Sequence, residues 1–157
     1  MNARELIETA QKTCKQRKHS KEYEIIQKIA ALVDGLQKTD WEKMPLHELE
    51  SISAELSAYM FTLSKLRTDA NLSYNASYFG RKVSSAKQYF RVEAKTVSER
   101  EKLVEKEIQH LYESEAIENY WADIVNNLYK NCDRMVSTIQ SIMANRRGER
   151  IQSKQQT

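Results

Sequence analysis

The chain contains only three glycines and one proline in 157 residues. Because glycine and proline mark most turns, their scarcity leaves few turns and predicts long helices. Sustained period-two alternation of apolar and polar residues is also missing, so no β-strand is predicted. No run approaches the roughly 18 apolar residues that a membrane span needs. The N-terminus lacks an apolar signal core, and no membrane association is expected.

Cysteines and catalytic motifs are equally sparse. Cys14 and Cys132 lie far apart in the sequence, which predicts free thiols and a cytoplasmic location. No residue has a recognisable nucleophile context, and there is no glycine-rich phosphate loop, so we expect neither an enzyme nor a cofactor. Glu107 and His110 form one Glu-x-x-His pair, whereas a di-iron bundle needs two. No metal site is predicted, and a di-metal enzyme is the least favoured alternative.

The most regular stretch covers residues 98–147, which contain no glycine and no proline. Ser98 and Glu101 have the spacing of a capping box at a helix start, and Gly148 provides a stop. Apolar residues then alternate by four and three, the spacing of a coiled-coil seam. Such a seam needs partner helices from this chain or from another copy. Self-association is predicted through Trp121, Val125, Leu128, Met135, Ile139 and Ile142, with Cys132 in the same seam.

A second seam of the same kind begins after Pro45. Its members are Leu49, Ile52, Leu56, Tyr59, Leu63, Leu66 and Ala70. The helix is expected to continue to about Phe79, with a break or a kink at Gly80. A shorter helical segment over residues 84–95 then leads to the final helix.

The N-terminal region predicts two shorter helices. Asn2 and Ser20 are the expected caps, and the second helix has the clearer apolar face. The expected fold is therefore all-α: a long antiparallel helical hairpin, or coiled-coil-like bundle, with shorter N-terminal helices. Within one domain, we expect an N-terminal segment at 1–44, the hairpin at 45–150 and a polar tail at 151–157.

The net charge of +3 is distributed in blocks. Residues 11–21, residues 81–95 and the segment after 145 are basic, whereas residues 40–55 and 99–123 are acidic. Alternating blocks favour self-association or an anionic partner, and solvated helix faces are the alternative interpretation.

Residues 74–95 interleave aromatic rings with cations. Proteins that bind single-stranded nucleic acid use this combination, because cations follow the phosphates while rings stack on the bases. The alternative is that Tyr78 and Phe90 are core residues and that the cations are merely solvated. The candidate binding residues are Tyr78, Arg81, Lys82, Lys87, Tyr89, Phe90, Arg91 and Lys95.

The order of three short motifs resembles that of the UvsY recombination mediators of T-even-like phages. These motifs are Ser77-Tyr78-Phe79-Gly80-Arg81, then Lys95-Thr96-Val97, then Tyr120-Trp121-Ala122-Asp123-Ile124. The resemblance covers roughly residues 54–152. It departs from the family just before the aromatic pair, where the family carries two cations and this chain has Ser73, Tyr74 and Asn75.

The resemblance implies an oligomeric mediator that binds single-stranded DNA. Such a protein helps a recombinase to displace a single-strand binding protein, in the host cytoplasm if it is encoded by a phage. The departure would shift phosphate contacts to the cations from Arg81 onward. The competing hypothesis is a non-catalytic phage or bacterial scaffold or adaptor that acts through protein–protein contacts.

Overall fold

The structure is a computed structural model that describes residue 8, residues 12–13 and residues 21–155. The described part contains four helices: α1 (Lys21–Leu36), α2 (Leu46–Arg91), α3 (Val97–Glu107) and α4 (Gln109–Gln155). No strand occurs among these residues, so the predicted all-α class is confirmed. None of the described helices has the length and apolarity needed to cross a membrane. The predicted caps Asn2 and Ser20 lie outside the described residues, as does the first predicted helix apart from residues 8, 12 and 13.

The chain forms two compact units. The hairpin unit contains Arg67–Ile124, which comprises the end of α2, all of α3 and the start of α4. The three-helix unit contains Glu22–Leu66 and the chain from Val125 onward, so α1 packs there with the other ends of α2 and α4. An ion pair joins α2 to α4 in each unit, Arg81 to Glu115 in the hairpin unit and Glu50 to Arg147 in the three-helix unit.

The core of the three-helix unit follows a seven-residue repeat. Leu49, Leu56 and Leu63 are fully buried on α2, and all three belong to the predicted seam. α1 and α4 supply the remaining fully buried side chains, since heptad spacing keeps one stripe of each helix facing inward. These side chains are Ile29, Val33, Val125, Cys132 and Ile139.

The seam of α4 is therefore covered by helices of its own chain. Trp121, Val125, Leu128 and Ile139 are buried, while Met135 and Ile142 are partly buried. Because one copy already covers these side chains, their apolarity gives no reason for a second copy. Self-association through them stays a prediction.

The break expected at Gly80 is wrong, because α2 continues through it to Arg91. The chain instead leaves the helix at residues 92–96, where Thr96 caps α3. Thr96 Oγ1 accepts a hydrogen bond from the Glu99 amide at 3.1 Å, and Glu99 Oε2 accepts one from the Lys95 amide at 3.0 Å. These reciprocal bonds resemble a capping box, and they lie two residues before the predicted pair.

The single helix predicted over residues 98–147 is interrupted at Ile108. Its backbone has φ −97° and ψ 9°, between α3 and α4, and its amide donates to the Val104 carbonyl at 3.0 Å. Val104 and Ile108 are both buried. The interruption thus occurs at a core residue without glycine or proline, and no local sequence signal marks it.

Gly80 offers a direct test of the continuous helix. A Cβ atom added at Gly80 meets nothing within 4 Å, and the residue does not have a positive φ. Gly80→Ala should therefore raise the free energy of unfolding by about 0.5–1 kcal/mol, measured by urea denaturation. The control Ala76→Gly, also exposed on α2, should lower it by a similar amount. A loss of stability in Gly80→Ala would contradict a regular helix at this position.

Arg146 holds the turn between α1 and α2. Its guanidinium donates to the backbone carbonyls of Met44 at 2.5 Å and Trp41 at 3.2 Å, and also to that of Glu42. These carbonyls belong to the turn just before α2, so one side chain of α4 satisfies three acceptors there. The neighbouring Arg147 pairs with Glu50, whose side chain is 45% exposed.

This difference predicts unequal effects for two adjacent arginines. Arg146→Ala removes charge-assisted bonds to three carbonyls and should cost about 2–3 kcal/mol of unfolding free energy. Arg147→Ala breaks an exposed ion pair and should cost less than about 1 kcal/mol. Chemical denaturation of the two variants measures both values. Equal losses would show that the bonds to the turn carry no special weight.

Candidate nucleic-acid interface

Two tyrosine–phenylalanine pairs lie on the C-terminal part of α2. The ring centroids of Tyr78 and Phe79 are 5.4 Å apart at 76°, and those of Tyr89 and Phe90 are 6.1 Å apart at 88°. The equivalent rings are eleven residues apart, which is about three turns or roughly 16 Å along the helix. The phenylalanines are 63% and 88% exposed, whereas both tyrosines are half-buried. Each pair thus presents its phenyl ring to solvent on the same side of α2.

Exposed cations surround the two phenyl rings. At 100° per residue, Lys82 and Lys87 fall on opposite sides of the line through the two phenylalanines, and Arg91 lies beyond Lys87. All three are exposed, as is Lys95 in the following turn. Glu93 is the one acidic residue between positions 81 and 95. Phe79, Lys82, Lys87, Phe90 and Arg91 are called the basic-aromatic face below.

Arg81, a predicted binding residue, makes its contacts inside the hairpin unit. Its Nε donates to Glu115 Oε2, and its Nη2 donates to Glu115 Oε1 at 3.4 Å. The guanidinium carbon lies 4.5 Å from the ring centroid of Tyr112, and only 12% of the Arg81 side chain is exposed. The hydrogen bond from Arg81 to Glu115 raises the pKa of Arg81. Its charge is therefore balanced within the fold, which removes Arg81 from the exposed cations.

Tyr78 and Tyr89, two of the predicted binding residues, pack against the exposed phenyl rings and are themselves half-buried. The guanidinium carbon of Arg81 lies 5.5 Å from the Tyr78 centroid, and Lys82 Nζ lies 5.6 Å from it on the basic-aromatic face. Arg100 of α3 lies 5.3 Å from the Tyr89 centroid. Cations beside each ring hold it by cation–π attraction. Tyr78 and Tyr89 thus position Phe79 and Phe90 and are less accessible than them.

Sequence reasoning missed two members of this arrangement. Phe79 was not among the candidate binding residues, although it shares a helix face with Phe90. The signal was its separation of eleven residues from Phe90, three turns of one continuous helix. Arg100 carries no such signal, because α3 reaches Tyr89 only through the turn at residues 92–96.

Among the described residues, the other reactive groups that the sequence singled out are a buried thiol and an exposed Glu-x-x-His pair. Burial raises the pKa of the Cys132 thiol to about 11, so this thiol stays protonated near neutral pH. Glu107 and His110 are both exposed. Within the described residues, no cluster of three histidine, cysteine or acidic side chains is placed to hold a metal ion.

Comparison with known proteins adds no relative. No family model matches this chain, and neither a curated protein nor a solved structure matches it. The similarity to the UvsY mediators consequently rests on the three sequence motifs alone and stays a prediction.

The pairing of Arg81 with Glu115 predicts a structural effect. Arg81→Ala leaves a mostly buried carboxylate unpaired and should lower the unfolding free energy by about 2–4 kcal/mol. A double-mutant cycle with Glu115→Ala should give a coupling energy of about 1–3 kcal/mol. Lys82→Ala, which removes an exposed neighbouring cation, should change stability by less than about 0.5 kcal/mol. Additive effects at positions 81 and 115 would contradict the pairing.

Proposed function

We propose that this chain binds single-stranded DNA through the basic-aromatic face of α2. The observation that carries this proposal is the exposure of two phenyl rings in line, with cations on both sides. A monomeric protein normally buries rings of this size. Here Phe79 and Phe90 are exposed among Lys82, Lys87 and Arg91.

Each part of the face has a distinct physical role. Phe79 and Phe90 stack on bases, which contributes about 1–3 kcal/mol per base and tolerates any sequence. Lys82, Lys87 and Arg91 neutralise phosphates and release counterions. In a duplex the base faces are already stacked, so the rings have no target and only the cations contribute. The face therefore favours a single strand over a duplex.

The resemblance to the UvsY mediators supports a specific use of this activity. An oligomer that presents several such faces would bind a strand tightly, because linked weak sites act at a high effective concentration. Such an oligomer would help a recombinase to displace a single-strand binding protein. We place this activity in the cytoplasm, and in the host cytoplasm if the protein is encoded by a phage.

A second candidate is a non-catalytic helical scaffold or adaptor. The observation that favours it is also on α2, where exposed apolar side chains recur at coiled-coil spacing. In that case the cations are solubilising, and the bound partner is a protein.

Charge reversal on the face separates these functions. Lys87→Glu with Arg91→Glu should weaken binding to a single-stranded oligonucleotide about tenfold or more, measured by fluorescence anisotropy. Loss of two phosphate contacts should also lower the slope of log affinity against log salt by about 1.4. The matched control is Lys102→Glu with Lys106→Glu, two exposed lysines of α3 that change the net charge equally.

A second double variant, in the same titration, tests the contribution of the two phenyl rings. Phe79→Ala with Phe90→Ala should weaken single-strand binding while leaving the salt slope and the weaker duplex binding unchanged, because no cation is lost. If both charge-reversal pairs weakened binding equally, strand binding would depend on the net charge of the chain and not on the basic-aromatic face. No strand binding by the unmodified chain at low salt would overturn the proposal and leave the scaffold function.

A further inference from the structure

An uninterrupted line of exposed apolar side chains runs along the C-terminal part of α2. Its six members are separated by four, three, four, three and four residues, and every one is exposed. The four large members are between 53% and 88% exposed. We call this line the apolar stripe: Leu72, Ala76, Phe79, Val83, Ala86 and Phe90.

This spacing is that of a coiled-coil seam, and no helix of the described residues covers it. The opposite side of α2 is already occupied in the hairpin unit, where Arg81 reaches Glu115 of α4. The large members of the apolar stripe expose on the order of 400 Å² of side-chain surface. A contiguous apolar patch of this size on a single chain commonly marks an interaction site.

The apolar stripe is symmetric about Arg81 in both spacing and size. From either end it runs large, small, large, large, small, large. When two copies lie antiparallel, Leu72 of one copy faces Phe90 of the second, and Phe79 faces Val83. The two alanine positions also face each other, which allows close approach of the helices. A two-fold interface requires this self-complementarity, because the same patch serves both copies.

The flanking charges select the antiparallel arrangement. Lys82 and Lys87 occupy the two positions that border the seam. In a parallel pair, Lys82 of each copy lies beside Lys87 of the other, which gives two repulsive contacts. In an antiparallel pair Lys87 lies beside Ser73, so one repulsive contact remains, between the Lys82 side chains of the two copies. On the other border of the seam, Gly80 of one copy faces Gly80 of the second, and neither has a side chain that would keep the helices apart.

From these features we infer that a second copy of this chain covers the apolar stripe in an antiparallel dimer. Two copies bury roughly 800 Å² of stripe surface in total, below the 1,200 Å² or so of a stable interface. The dimer is therefore a concentration-dependent state. The inference rests on the stripe and not on strand binding. Phe79 and Phe90 belong to both surfaces, so a strand and a second copy would exclude one another.

Disulfide trapping tests the arrangement. Ala76→Cys and Ala86→Cys are made in separate full-length chains that also carry Cys14→Ser, while the buried Cys132 stays in place. Under mild oxidation, a covalent dimer should form when the two variants are mixed and in neither variant alone. A covalent dimer of Ala76→Cys by itself indicates parallel helices and overturns the inference.

Sedimentation tests the surface independently. The unmodified chain should shift from monomer to dimer as concentration rises, and Val83→Glu should raise the dissociation constant by about tenfold or more. The matched control is Val97→Glu, because Val97 is similarly exposed (62% against 53%) but lies outside the apolar stripe. Circular dichroism should show unchanged helicity in both variants. A monomer at every concentration, or an assembly that persists in Val83→Glu, overturns the inference.

Discussion

The continuity of α2 is the constraint on which the rest depends. One unbroken helix fixes the direction of each side chain relative to every other, at 100° per residue. Phe79 and Phe90 share a face only because nothing interrupts the helix between them. The same continuity turns Arg81 toward Glu115 on the opposite side. A break at Gly80 would have made the directions of these side chains independent of one another. One continuous helix therefore determines both the buried contacts and the exposed face.

The inner side of α2 contributes differently to the two units. The three-helix unit has fully buried leucines at seven-residue intervals, so apolar burial dominates there. In the hairpin unit, the same side of α2 continues into smaller or polar residues such as Ala70 and Ser77. An ion pair of Arg81 with Glu115 and a cation–π contact of Arg81 with Tyr112 join α2 to α4 there. Such a pair is weak evidence for stability, but its geometry favours one register. Apolar burial contributes as well, at Ile108 and Trp121. The large apolar residues Phe79, Val83 and Phe90 of this part of α2 lie on its exposed side.

Periodicity alone predicted the helical class and the seams through Leu56 and Val125, because burial of one helix face leaves a direct trace in sequence. Gly80 gave a false signal of a break, because a single glycine costs a helix only about 1 kcal/mol, which a long helix tolerates. The partner of Arg81 lies 34 residues away, so no local pattern could show that its charge is balanced. The interruption at Ile108 likewise occurs without a glycine or proline to mark it in the sequence. Sequence therefore located the cations and rings, whereas the fold decided which of them face solvent.

The overlap between the basic-aromatic face and the apolar stripe gives the two proposals opposite dependences on salt. Strand binding through Lys82, Lys87 and Arg91 weakens as salt rises, because releasing counterions into a more concentrated salt solution gains less entropy. Antiparallel pairing buries apolar surface and brings two Lys82 side chains together, so salt screens a repulsion and leaves the attraction intact. Low salt therefore favours the strand on this face, and high salt with high protein concentration favours the second copy. The two rings contribute to either complex, so the charges around them decide which complex forms.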